Sequence, residues 1–123
     1  MTVALLVGLC GAVGAVARYL TDGAVQDRTA GAYPYGTLVV NLTGSLVLGV
    51  VTGLAWYHGL GGATHTVIGV GLCGAFTTWS TVTWETVELV EQRLARTAAV
   101  SLAVQVAGSL AAAAVGIALA AAL

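Results

Sequence analysis

The chain has 123 residues, 59% of them hydrophobic and 7% charged, with a mean hydropathy of +0.97 and no Lys. A soluble domain carries about 25% charged residues, so this composition is that of an integral membrane protein. The formal net charge of −1 excludes a nucleic-acid footprint, which needs clustered basic side chains. Cys10 and Cys73 both sit in apolar runs. They read as buried free thiols rather than a disulfide or a metal site.

The charges fall in two clusters. Arg18, Asp22, Asp27 and Arg28 form the first; Glu85, Glu88, Glu91, Arg93 and Arg96 form the second. As one helix, residues 29–84 would run about 84 Å, against a hydrocarbon core about 30 Å thick. That stretch must cross twice, with its turn at "YHGLGGATH", residues 57–65. Four spans follow, roughly 2–20, 34–56, 65–91 and 97–121, as one transmembrane domain over residues 1–123. Both charged clusters then lie on one side of the membrane, and both termini and the 57–65 turn on the other. Tyr19, Tyr33, Tyr35 and Trp84 fall near one interface and Trp56 and Tyr57 near the other, leaving Phe76 and Trp79 at depth.

Span one carries Gly8, Gly11 and Gly14, read as a close-packing stripe. "GAVA" before Arg18 resembles a signal-peptidase site, but no Lys or Arg precedes the apolar segment as in a signal peptide. Span two repeats Thr37, Asn41, Ser45, Gly49 and Gly53 every four residues, so they share one helix face. Gly49 and Gly53 read as a packing seam. Asn41 admits two readings, interhelical glue or the lining of a polar path. Span three holds "GLCGAFTTWSTVTWE", residues 71–85, crowded with hydroxyls. Either it breaks near Gly74–Thr78, freeing carbonyls that protein, water or an ion must satisfy, or the helix is intact and its Thr hydroxyls bond back to their own turn. Span four stacks Ser101, Gln105 and Ser109 on one line, glue or the wall of a narrow passage, beside a small-residue line of Gly108, Ala112, Gly116 and Ala120. "VGLCGA" occurs at both 7–12 and 70–75, a short repeat of common residues that reads as chance or convergence.

Three segments carry a family resemblance: "GAVARYL" at 14–20, "GTLVVN" at 36–41 and "GLCGAFTTWST" at 71–81. In these, in length and in the order of four spans, the chain resembles the Fluc (CrcB) fluoride-channel family. The resemblance implies an all-α membrane fold with the third helix broken, assembled as an antiparallel, dual-topology dimer in the bacterial plasma membrane. It implies two fluoride pores between subunits and passive export of cytoplasmic fluoride. Asn41 matches the family's pore Asn, and Thr37 lies one turn away on the same face. Trp79 and Val82 match the two Phe positions of "TTFSTF", Ser80 and Thr81 match the hydroxyls within it, and Ser101, Gln105 and Ser109 fall on the polar track of span four. Carbonyls matching Gly74 and Thr77 are implied to hold a structural, untransported Na⁺ at the dimer centre. Arg18 matches the Arg ending span one, and Glu85 the acid after the motif.

The residues suit that role. Fluoride is small and strongly hydrated, so a pore must replace water with amide, hydroxyl or ring-edge donors. Conduction requires moderate, multi-site binding, and no Arg lies mid-span. Two departures stand out: Trp79 adds volume and an N–H donor, and Val82 has no ring. They raise the alternative of a non-conducting or pore-completing subunit in a heterodimer. All four Arg lie on the side of the charged loops, and short-loop Lys/Arg bias sets orientation. The expected partner is therefore an oppositely oriented paralogue. A small multidrug-resistance-type proton-coupled exporter would need a carboxylate deep in the membrane, which span one lacks. With no embedded nucleophile–base pair or metal-ligand cluster, the sequence does not read as an enzyme.

Overall fold

A computed structural model describes all 123 residues. It is all-helical, with four segments long and apolar enough to cross a membrane. The protein is a multi-pass membrane protein. Helix α1 is Thr2–Gln26 and α2 is Tyr35–His58. Helix α3 covers residues 62–76, with a wider π-helical section at Val67–Cys73. Helix α4 is Trp79–Glu91 and α5 is Ala95–Ala121.

The first helix runs six residues past the expected end of its span, so Arg18 and Asp22 sit on helix rather than in a loop. Its terminal carbonyls are met by Thr29, whose hydroxyl donates to Val25 O at 3.1 Å. The connection between α2 and α3 turns at Gly59, whose φ of 68° is left-handed and suits glycine. Arg93 holds the same conformation between α4 and α5, with φ 62°.

Two parallel helix pairs build the core. In the first, α2 and α5 keep a constant offset of 64 residues: Asn41 meets Gln105, Gly49 meets Ala113 and Gly53 meets Ile117. A Cβ at Gly49 would strike the Ala113 carbonyl, and one at Gly116 would strike the Leu46 carbonyl. The backbones therefore touch, as small-residue seams in membranes allow. In the second pair, α1 lies along α3, where Gly14 abuts the Leu72 carbonyl. The two "VGLCGA" copies face each other there: a Cβ on Gly71 would lie 2.8 Å from Val7 O and 3.3 Å from Cys10 Cβ. Their shared composition serves one contact. Gly8 departs from the expected stripe, having open space where a Cβ would stand. Leu5, Leu9, Val13, Val16 and Leu20 of α1 are exposed, as a lipid-facing surface requires.

Candidate functional site

The third span is broken between α3 and α4. Thr77 (φ −75°, ψ 159°) and Thr78 (φ −149°, ψ 122°) are both extended. Thr78 caps α4: its Oγ1 accepts from Thr81 N at 3.2 Å, as an N-cap Thr does for the third residue of a helix. In a continuous helix the Thr78 N–H would donate to Gly74 O. Here it donates to Asn41 Oδ1 at 2.8 Å. Thr77 O likewise accepts no hydrogen bond, and Gly74 faces outward, exposed.

Asn41 is the brace of this break. It is buried, accepts from Thr78 N, and donates through Nδ2 to Thr78 O at 3.0 Å and to Gln105 Oε1 at 3.1 Å. Around it the hydroxyls divide into two groups. Thr77, Thr83 and Thr86 bond back to carbonyls of their own turn, the local pattern such residues favour. Thr78, Ser80 and Thr81 instead form a cluster, with Thr78 Oγ1 3.2 Å from Ser80 Oγ and 2.9 Å from Thr81 Oγ1. Of the two readings of the hydroxyl-rich run, the break is the one that holds; the back-bonding expected of an intact helix is kept at Thr77 and Thr83 on either side of it.

Two cavities flank Thr78. A cleft of about 410 Å³ is lined by Asn41, Ser45, Thr77, Trp79, Gln105 and Ser109, with Leu48, Val106 and Leu110 as apolar wall. Toward the charged end, about 210 Å³ is bounded by Arg18, Asp22, Thr37, Thr78 and Thr81. The α2 stripe thus runs from one cavity to the other, with Thr37 at the first and Asn41 and Ser45 at the second. Thr37 also donates to Glu85 Oε1 at 2.6 Å, tying α2 to α4.

The site residues expected from sequence fall into distinct places. Asn41, Trp79, Gln105 and Ser109 share the cleft; Arg18, Thr37 and Thr81 share the smaller cavity. Ser101 is buried a turn before Gln105, while Ser80 and Trp79 are exposed. Val82 is 2% exposed, packed within the chain, and lines neither cavity. Thr78, common to both cavities, was absent from the expected set. The signal was there in a Thr set three residues before Thr81 at the start of a polar helix, an N-cap arrangement.

The sequence matches the family model described as CrcB-like protein, Camphor Resistance (CrcB), over residues 5–117. The chain belongs to the CrcB family. It is 44% identical over 124 residues to fluoride-specific ion channel FluC 1 of Frankia casuarinae, covering 94% of each chain. It is 45% identical over 96 residues to fluoride-specific ion channel FluC 1 of Leifsonia xyli subsp. xyli, covering 78% of this chain and 70% of the relative. Against fluoride-specific ion channel FluC 2 of Haloarcula marismortui it is 44% identical over 115 residues, covering 94% of this chain and 87% of the other.

Proposed function

We propose that this CrcB protein is a subunit of a fluoride channel that lets fluoride leave the cell passively. The observation that carries the reading is the identity to fluoride-specific channels along nearly the whole chain. The polar cleft beside a helix break, built mid-membrane from amides and hydroxyls, is consistent with it. A passing anion exchanges water for such donors one site at a time. Arg18 stands at the charged end, where it draws anions in without holding them midway. Fluoride efflux from liposomes, read with a fluoride electrode against chloride as control, tests the reading. Fluoride release without chloride release is expected, and no release above protein-free liposomes rejects it.

The pathway is completed by a second, antiparallel subunit. In support, Gly74, Trp79, Ser80 and Thr83 are exposed at one break in the bundle, and polar backbone in a bilayer needs protein cover. The second ring absent at Val82 then comes from that subunit. The carbonyls of Gly74 and Thr77, left without donors, suit a Na⁺ held as a structural ion between subunits. A Na⁺ bound there would answer these carbonyl oxygens in place of the helical N–H donors that the break removes.

The partner of this chain is a paralogue of opposite orientation. Arg18, Arg28, Arg93 and Arg96 all belong to one end, where Asp22 of the first cluster and Glu85 and Glu88 of the second line a common cavity with Gln26 and Gln92. The other end has no Lys or Arg, so the bias in short loops fixes a single insertion with the charged loops in the cytoplasm. A C-terminal reporter active on one side of the membrane only should give an outside signal alone. Equal signals from both orientations would restore a homodimer.

A further inference from the structure

Helix α2 meets the break at two points, Asn41 and Gly44, which are neighbours on the helix surface because they lie three residues apart. At the first, the carboxamide is bonded to both backbone groups of Thr78. At the second the contact is steric. Gly44 is buried, and a Cβ built on it would overlap the Thr77 Cγ2 methyl and lie 3.0 Å from Phe76 Cδ1.

The two neighbours of Gly44 differ in their freedom to yield. Phe76 has room: it shares with Gly44 an apolar cavity of about 240 Å³, walled also by Ala17, Val47, Leu72 and Cys73. Thr77 is tied. Its N–H and its hydroxyl both donate to Cys73 O, each at 2.9 Å. With Oγ1 held there, staggering about χ1 leaves a single direction for Cγ2, and that direction is Gly44. The methyl can leave only if the hydroxyl gives up Cys73 O or the Thr77 backbone moves. Thr77 is the first extended residue after α3, so a shift there passes directly to Thr78 and to the cleft that both residues line.

Resting on the fluoride-channel reading, we infer that Gly44 is a positioning residue: its missing side chain is a socket for the Thr77 methyl, and the socket sets how far the break stands from α2. Asn41 fixes the orientation of the Thr78 backbone by hydrogen bonds, and Gly44 fixes the spacing by contact. The two act on adjacent residues of one extended segment. A side chain at position 44 therefore moves the lining of the cleft without touching an ion itself.

The test exchanges volume across this contact, with the channel in liposomes and the paralogue present where flux requires it. Gly44→Ala should lower fluoride flux roughly tenfold, the order of effect of overpacking a fixed contact, and should raise the apparent KM for fluoride. A simple loss of folded protein would lower the maximal flux and leave KM alone. Thr77→Ser removes the methyl and keeps the hydroxyl for Cys73 O, so by itself it should conduct nearly as the wild type does. Added to Gly44→Ala, it should restore most of the flux and the wild-type KM. Thr77→Val keeps a methyl at each branch and should restore nothing. If Gly44→Ala does not fold, the same pair decides: recovery of folded protein with Thr77→Ser but not with Thr77→Val supports the socket. Full flux with unchanged KM in Gly44→Ala, or a defect that Thr77→Ser does not relieve, would overturn the inference. Either result would leave a conducting wild type, and so the channel reading, intact.

Discussion

The α2–α5 pair is two regions in one. Both keep the same 64-residue offset and the same four-residue stripe, yet they differ in kind. From Thr37 to Ser45 the stripe is polar, the facing residues are Ser101, Gln105 and Ser109, and a cleft opens beside them. From Gly49 onward it is glycine, and the backbones of α2 and α5 meet without a gap. Helix periodicity put both sets on one face; the side chain at each step decided whether that face seals or opens. The dry end holds the pair rigid, and that rigidity fixes where Asn41 and Gln105 stand.

The sharpest way to break the dry end is Gly116→Val. Its branched side chain meets Leu46 O and Val50 N, which are backbone atoms and cannot rotate away. Overpacking costs about 1–3 kcal/mol where side chains can yield, and here they cannot. No folded protein should be recovered by size-exclusion chromatography. A well-folded Gly116→Val would mean the helices are not in backbone contact.

At the polar end the equivalent change should leave the fold and remove the function. Asn41→Asp is isosteric and keeps an acceptor for the Thr78 N–H, but it loses the donors to Thr78 O and Gln105 Oε1 and sets a carboxylate beside the cleft. Flux should drop below detection while the protein elutes as the wild type does. Wild-type fluoride efflux from this variant would place the pathway elsewhere.

Much of this contrast could be read in advance. Composition and charge spacing gave the spans, because a charged residue mid-bilayer is too costly to scatter. The period of four identified the α2 stripe, and the glycines in its later half meant close packing. What could not be read was where each hydroxyl turns. Thr77 and Thr78 are adjacent and identical in type, yet one bonds back to Cys73 O and the other joins Ser80, Thr81 and Asn41. That depends on which helix ends between them, a tertiary fact. Val82 was equally opaque: in "WSTV" nothing local says that Trp79 faces out while Val82, three residues on, is packed inside.

A milder effect should follow from removing Na⁺. If the Gly74 and Thr77 carbonyls hold it, replacing Na⁺ on both sides by a large organic cation should lower fluoride flux in part, since Asn41 still braces Thr78 from the α2 side. The reversal potential should ignore any Na⁺ gradient, because the ion is not carried. A reversal potential that follows Na⁺ would signal coupled transport and count against a structural ion.

The smallest effect separates glycines that pack from one that does not. Gly8 lies in the interior of α1 with open space where a Cβ would be, whereas Gly14 on the same helix abuts the Leu72 carbonyl. A helical Gly costs roughly 0.5–1 kcal/mol relative to Ala, so Gly8→Ala should raise thermal stability slightly and leave flux unchanged. Gly14→Ala should do the opposite, since its methyl meets backbone on α3 just before the break and must push the two helices apart. If a partner subunit rests closely on Gly8, however, the Gly8→Ala gain will vanish and dimer affinity will fall instead. Melting the protein at two concentrations distinguishes these results: a gain independent of concentration puts Gly8 against lipid, and a concentration-dependent loss puts it in the interface.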